Sequence, residues 1–328
     1  MNDMTNHITS DKTVLCITLN PAIDMTITLE TLTLGVVNRA TDTQTTPAGK
    51  GLNVAHVLSE LGINGVASGF LGRANDELFR ALFASHADIK SIEGIGKMTD
   101  GFIKVAGSTR INVKLVDNGR TTDINGQGFV VAQDDKTALI ERIDALIDGV
   151  DAVLVAGSLP NGFNADDFDE LLSHLTHRHD KVAVDVSGEA LSVTIKHKLW
   201  LIKPNNDELS AVFGGDMTDL DTQKQAISQI PSIKNILVSM GGKGVHWFVD
   251  GGIYRGIPPV MTVKSTVGAG DTMVAGMIFG LLTNKAPTDV LRFATALSAH
   301  AVAIVGVGVP EPLHMNKLLS QTQVEKLS

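Results

Sequence analysis

The chain has 328 residues, 43% of them hydrophobic but only 4% aromatic, with 27 basic against 36 acidic side chains and a formal net charge of −9. That apolar fraction excludes a mainly disordered chain, and its aliphatic character leaves few rings on which unpaired bases would stack. An acidic chain without a basic run is ill suited to nucleic acid or anionic membranes, so an anionic ligand must be met by a few local cations and backbone amides.

Met1–Lys12 is polar, carries Asp3 and Asp11 and lacks an apolar core, so it does not read as a signal peptide. The first apolar run, Val14–Leu19, holds the single cysteine, Cys16, which excludes an intrachain disulfide and reads as a buried thiol. Further runs follow at Val66–Phe70, Ala152–Ala156, Val182–Val186, Trp200–Ile202 and Ile236–Ser239. Most are continuous rather than alternating, as in strands of a parallel sheet covered on both faces. Helical patterns lie between them. Asp134–Gly149 places Leu139, Ile143, Leu146 and Ile147 on one face behind a cap at Asp134 or Asp135. Asn164–Arg178 does the same with Phe168, Leu171, Leu172 and Leu175. The longest nearly apolar stretch, Ala296–Val309, is broken by Ser298 and His300 and is too short to span a bilayer. These patterns predict a soluble, cytoplasmic α/β protein with a doubly wound, mostly parallel central sheet between helices.

Two segments break that rhythm. Met25–Thr45 is rich in Thr and alternates through Met25-Thr26-Ile27-Thr28-Leu29, and Phe102–Leu115 alternates around Gly107. Both read as antiparallel, half-exposed strands of a small sheet outside the main one, placed as a lid over an α/β site. Its exposed edges would pair across a two-fold axis, which predicts a homodimer through the lid.

Glycines cluster where strands hand over to helices. Ser265-Thr-Val-Gly-Ala-Gly-Asp-Thr272 leads into the apolar run Met273–Leu282, and the N–H groups of Gly268, Ala269 and Gly270 at such a helix start would bind an anion. Asp271 beside that hole is either an N-cap or a base that takes a proton from an attacking hydroxyl. The Walker glycine-lysine pattern is absent, and position 273 is Met where a dinucleotide motif needs glycine. Pro47–Ala55 opens another helix, with Gly49 and Gly51 allowing close approach, Lys50 a point charge and Asn53 a two-way hydrogen-bonding group. A plain glycine turn with an exposed lysine is the other reading. Asn20-Pro-Ala-Ile-Asp24 follows the first strand, where α/β folds bind ligands, so Asp24 is a sugar ligand or a turn residue. Lys203-Pro-Asn-Asn-Asp-Glu208 offers Asn205 and Glu208 to a hydrated Mg²⁺, or begins a helix. Ser239-Met-Gly-Gly-Lys-Gly244 is a nucleotide-side loop or a hairpin turn. His174, His177 and His179 read as a solvated face rather than zinc ligands, and His300 as a core or pocket-edge residue.

In this order, Asn20-Pro-Ala-Ile-Asp24, Gly49-Lys-Gly-Leu-Asn53, Gly157-Ser-Leu-Pro160, Lys203-Pro-Asn205 with Glu208, and Gly268-Ala-Gly-Asp271 resemble the ribokinase-like (PfkB) carbohydrate kinases, from about Val14 to about Pro310. Ser108-Thr-Arg-Ile-Asn-Val-Lys-Leu115 followed by Thr122-Asp-Ile-Asn125 looks like that family's 1-phosphofructokinase branch. The resemblance implies one kinase domain over residues 12–320 with lid strands inserted at about 25–45 and 100–125. It implies ATP-dependent phosphorylation of D-fructose 1-phosphate at its 6-hydroxyl. Tagatose-6-phosphate kinase, 6-phosphofructokinase and a catalytically silent sugar-phosphate sensor are the competing readings. It also implies roles. Asp271 is the base, and the amides of Gly268, Ala269, Gly270 and Asp271 form the anion hole. Asp24, Gly49, Asn53 and Ser158 orient the sugar, and Lys50 with Arg110 binds the phosphate it already carries. Lys203, Asn205, Ser239, Gly241, Gly242 and Gly244 line the ATP side, with Mg²⁺ near Asn205 and Glu208, held through water.

Overall fold

A computed structural model describes residues 11–88 and 94–328; the first ten residues of the polar N-terminal segment lie outside the described residues. In chain order the strands are β1 (Thr13–Thr18), β2 (Ala22–Leu29), β3 (Asp42–Ala48), β4 (Asn64–Gly72), β5 (Met98–Val105), β6 (Arg110–Asp117) and β7 (Arg120–Asn125). They continue as β8 (Ala152–Ala156), β9 (Val182–Asp185), β10 (Leu201–Ile202), β11 (Asn235–Ser239), β12 (Val245–Val249), β13 (Gly252–Ile257) and β14 (Gln323–Lys326). The helices are α1 (Lys50–Glu60), α2 (Glu77–Asp88), α3 (Gln133–Ile147), α4 (Ala165–Arg178), α5 (Glu189–Thr194), α6 (Asn206–Phe213), α7 (Leu220–Ile227), α8 (Ala269–Leu282), α9 (Pro287–Ala301) and α10 (Pro312–Gln321).

The continuous apolar runs form the centre of a large sheet in the order β14-β13-β12-β11-β10-β9-β8-β1-β4-β5. From β5 to β11 neighbouring strands are parallel; β12, β13 and β14 extend it antiparallel. Alternate side chains of one strand enter opposite cores. Val14 and Cys16 of β1 pack with α1, α8 and α9, while Leu15 and Ile17 pack with α3 and α4. Leu154 of β8 and Val153 with Val155 divide in the same way. Cys16 is fully buried, and burial pushes its thiol well above the ordinary range. An inert structural thiol follows.

Helix ends follow local chemistry. Asn164 caps α4: its side chain accepts from Asp167 N at 2.9 Å, and Asp167 Oδ2 accepts from Asn164 N at 2.8 Å. At α3 the cap position is Ala132 rather than Asp134 or Asp135, and Asp135 reaches back to the Ala132 N–H at 2.9 Å. Among the described residues no helix is long and apolar enough to cross a membrane.

A second sheet has the order β3-β2-β6-β7. It corrects two expectations. First, the alternating segment Phe102–Leu115 is divided. Residues 102–105 belong to β5, the parallel edge strand of the large sheet, where Phe102 and Val105 are buried. The chain turns through Gly107, at φ 89°, and enters the small sheet only at Arg110. Alternation marks any half-buried strand, and the edge of a large sheet is one such place. Second, β2 and β6 run parallel, with Ala22 opposite Arg110 and Asp24 opposite Asn112, because the chain between them returns by a long crossover through β3, α1, β4, α2 and β5. The β2–β3 and β6–β7 pairs are antiparallel hairpins. Since β2 leaves directly after β1 and β3 returns directly into α1, the small sheet stands beside the carboxyl end of the large one.

Candidate active site

Several chain segments converge at that carboxyl edge, the usual ligand position of an open α/β sheet. α8 begins there. Its N-cap, Gly268, has φ 85°, a left-handed conformation that a side chain disfavours, and a β-carbon at Gly268 would stand 2.5 Å from Val307 Cγ1. The first-turn N–H groups of Ala269, Gly270 and Asp271 therefore open without side-chain obstruction from Gly268 or Gly270. Ser298 Oγ donates to Ala269 O at 2.9 Å and ties this turn to α9.

Asp271, 5% exposed, accepts from Asn53 Nδ2 at 2.7 Å. Burial, aided by the charge of Asp185, pushes its carboxyl up to about 6, against the pull of Asn53, Lys50 and Lys203. A carboxyl poised there can both lose and regain a proton near neutrality, which an N-cap role does not need. The cap reading also fails on geometry, since Gly268 holds the cap position.

Asp185 ends β9 at 3% exposure and was not singled out from the sequence. Its Oδ2 lies 3.2 Å from Lys50 Nζ and its Oδ1 3.3 Å from Lys203 Nζ. Burial alone would raise its carboxyl; the two ammonium groups outweigh burial and hold it below the usual range. Burial alone would likewise lower Lys50, but Asp185 and Asp271 hold it above its ordinary value. The signal was present: Asp185 is the only charge in the apolar run Val182–Val186.

Asp24, Arg110 and Ser158 gather on the small-sheet side. Asn112, opposite Asp24 in register, donates to Asp24 Oδ1 at 2.9 Å. Asn112 stands inside the Ser108–Leu115 motif, where residue type alone gives it no role. Arg110 donates from Nη2 to Asn20 O at 3.2 Å and from Nε to Pro21 O at 3.4 Å. Burial lowers its guanidinium pKa, with the charge of Asp24 opposing. Asn20 Nδ2 reaches Ser158 Oγ at 3.1 Å. Lys50 and Arg110, expected to share one phosphate, thus have different neighbours: Lys50 faces Asp185, Asp271 and Glu208, and Arg110 faces backbone carbonyls and Asp24.

On the opposite side, Asn205 caps α6. Its Oδ1 accepts from Glu208 N at 2.8 Å, and Glu208 Oε2 accepts from Asn205 N at 2.8 Å. The helix-start reading of this segment is therefore realised, and Glu208 Oε1 takes no part in the box. A bridge joins Asn205 to Ser239, and Ser239 N donates to Pro204 O at 3.0 Å. Gly241 and Gly242 lie in a short 3₁₀ turn, Gly241–Lys243, that links β11 to β12 as a hairpin; Gly244 closes it, accepting from Met240 N at 2.9 Å. Of the histidines, His174 of α4 pairs with Asp144 of α3 at 2.9 Å.

Comparison with known proteins places the chain in a family. The family model described as pfkB family carbohydrate kinase matches residues 17–313. The chain is similar to the 1-phosphofructokinase of Vibrio cholerae, at 43% identity over 319 residues, 96% of this chain and 98% of that protein. It is similar to the 1-phosphofructokinase of Escherichia coli, at 35% identity over 315 residues, 95% of this chain and 98% of that one. Its structure resembles that of a possible 1-phosphofructokinase from Thermotoga maritima, with TM-score 0.83 and 26% identity, covering 96% of this chain and 100% of that chain.

Proposed function

Since the chain belongs to the pfkB family of carbohydrate kinases, we propose that it transfers the γ-phosphoryl of ATP to the 6-hydroxyl of D-fructose 1-phosphate, giving fructose 1,6-bisphosphate and ADP. The observation that carries the reading is Asp271: a buried carboxyl at about 6, held by Asn53 at the first turn of α8. As the sugar oxygen bonds to phosphorus, its proton passes to Asp271 Oδ1 or Oδ2. The bond to the ADP oxygen breaks and ADP leaves with the electron pair. Catalysis of such a transfer rests on positioning and charge stabilisation. The N–H groups of Gly268, Ala269, Gly270 and Asp271 face the charge that gathers on the transferred group.

Family membership implies ATP as donor. Lys203, Asn205 and the Ser239–Gly244 turn with Gly241 and Gly242 support it, since the bridge between Asn205 and Ser239 makes them one surface. The donor set fits Mg²⁺ only indirectly: Asn205 and Glu208 bond each other, and among the described residues no cluster of three His, Cys, Asp or Glu side chains could enclose an ion. Mg²⁺ bound to nucleotide phosphates, with water between it and Glu208 or Asn205, would screen the negative charge of the reacting groups.

Asp24, Asn53, Ser158 and the backbone at Gly49 would orient the sugar, and Arg110 would bind its phosphate through charge-assisted hydrogen bonds. Arg110 sits on the small sheet, so closure of that sheet would deliver the charge and exclude water. The same sheet exposes Ile124 at 55% and Ile111 at 42%, and the loop joining β2 to β3 exposes Leu34 at 87%. Pairing with a second copy would cover them, and a monomeric mass by light scattering at assay concentration would dismiss the dimer. The deciding experiment follows ADP release with Mg·ATP and fructose 1-phosphate, fructose 6-phosphate, tagatose 6-phosphate or fructose. A kcat/KM for fructose 1-phosphate at least about tenfold above the rest, about 1.4 kcal/mol of transition-state preference, is the expected result. Preference for another phosphosugar would keep the mechanism and overturn the substrate, and no turnover with any would favour a sensor.

A further inference from the structure

We infer that Lys50 is a catalytic group for the transferred phosphoryl, set there with Lys203 by the buried carboxylate of Asp185, and is not a ligand of the phosphate already on the sugar. This rests on the phosphosugar-kinase reading above and assigns two of its cations.

The geometry is that of a fork. Asp185 is 3% exposed and presents one oxygen to each lysine, Oδ2 to Lys50 at 3.2 Å and Oδ1 to Lys203 at 3.3 Å. Each prong points to the same place from a different element. Lys203 lies against the anion-hole turn: a β-carbon added to Gly270 would stand 3.2 Å from Lys203 Nζ. Lys50 opens α1 one turn before Asn53, whose amide holds Asp271 at 2.7 Å. Residues three apart on a helix share a face, so Lys50 and the base-holding amide lie on one side of α1. Arg110 has no part in this cluster, since its partners are the carbonyls of Asn20 and Pro21 and the charge of Asp24.

Charge balance shows why such a fork helps the reaction. With Asp185 and Asp271 ionised and both lysines charged, two positive groups meet two negative ones and the cluster is neutral. When Asp271 receives the hydroxyl proton, one negative charge disappears and a net positive charge remains beside the phosphoryl. The attraction is therefore strongest in the transition state, where it accelerates the reaction, rather than in the ground state, where it would only tighten binding. Asp185 itself touches no reacting atom in this scheme; it is a positioning residue. Its charge also helps to hold Asp271 at about 6, after burial, so the same carboxylate places the lysines and tunes the base.

The test compares Lys50→Met, Lys50→Arg, Asp185→Asn and Arg110→Ala with the unaltered enzyme. It uses steady-state kinetics, calorimetric binding of fructose 1-phosphate without nucleotide, and the pH dependence of kcat. Lys50→Met should lower kcat by about 10²–10³-fold, the scale of one lost charge-stabilising donor, and leave sugar binding within about threefold. Lys50→Arg should recover part of kcat. Arg110→Ala should do the reverse of Lys50→Met, weakening sugar binding most. The acid limb of kcat should move to higher pH in Lys50→Met, where Asp271 loses a cation, and to lower pH in Asp185→Asn, where it loses an anion. A merely structural role would not move the limbs in opposite directions. Lys50→Met that weakens sugar binding tenfold or more while keeping kcat would overturn the inference. Asp185→Asn with an unmoved limb but a raised Mg²⁺ requirement would remove Asp185 from the positioning role. Lys50 is 40% exposed, so its variants remain decisive should Asp185→Asn fail to fold. If the unaltered enzyme turns over no phosphosugar, the kinase reading itself has failed; a variant result contrary to expectation in an active enzyme sinks only this assignment.

Discussion

Replacing Asp271 by Asn should make the protein a poorer enzyme and a more stable molecule at once. The substitution preserves size in a site only 5% exposed, and the new amide can turn its oxygen to the Asn53 Nδ2 that now donates at 2.7 Å. The local hydrogen bond survives while the base is lost. General-base catalysis contributes about 10²–10⁴-fold, or roughly 2.7–5.4 kcal/mol of barrier, and kcat should fall by that factor. Stability moves the other way. The folded carboxyl stands at about 6 against an ordinary 3.8. Below pH 3.8 both folded and unfolded chains carry the proton and nothing is lost. Between 3.8 and 6 the unfolded chain ionises first, so stability declines as pH rises, and above 6 the full penalty of the buried charge applies. That penalty is on the order of 3 kcal/mol at pH 7, and Asp271→Asn should recover it. Urea denaturation at pH 4 and pH 7, beside a coupled ADP-release assay, measures both effects. The variant should gain stability over the unaltered protein at pH 7 and show little gain at pH 4. A kcat within tenfold of the unaltered enzyme would remove Asp271 as base. Equal stability at pH 7 would mean that the carboxyl is not raised.

Three further outcomes follow from the packing. Gly270→Ala should fold at least as well, since Ala gains about 1 kcal/mol over Gly within a helix, yet lose activity as its methyl meets Lys203 Nζ at 3.2 Å; unchanged kcat would show that Lys203 can withdraw without consequence. Asn112→Ala should raise KM for the phosphosugar about tenfold with kcat nearly kept, because Asp24 loses the amide that holds it at 2.9 Å, and an unaltered KM in steady-state assays would exclude that role. Leu154→Ala, in a fully buried position at the centre of the sheet, should cost about 2–5 kcal/mol in denaturant unfolding, and a loss under 1 kcal/mol would mean that the core on its side of the sheet collapses around the gap.

Much of the architecture was legible in local sequence. Continuous apolar runs at Val14–Leu19, Ala152–Ala156 and Ile236–Ser239 mark strands covered on both faces, and strands β1, β8 and β11 stand there. Asn164 signalled the start of α4 because a cap is a contact between residues three apart. Gly268-Ala-Gly-Asp271 signalled a helix start for the same reason: its chemistry lies within one turn. These features need no distant partner, so residue type and spacing determine them.

Tertiary structure decided what depends on residues far apart in the chain. Phe102–Leu115 alternates throughout, and alternation says that one face is covered without saying by which sheet; only the pairing of β5 with β4 and of β6 with β2 divides it. Lys50 and Arg110 read as two cations for a single phosphate because charge in a sequence has no direction. Only the fold gives them their neighbours: Asp185, 135 residues further along, stands 3.2 Å from Lys50 Nζ, while Arg110 has the carbonyls of Asn20 and Pro21 and the charge of Asp24. Asn112 was invisible for the same reason, since its meaning comes from standing opposite Asp24 across a parallel strand pair. Backbone periodicity and caps are local interactions, whereas a buried ionised carboxylate such as Asp185 depends on the two ammonium groups that the completed fold brings to it.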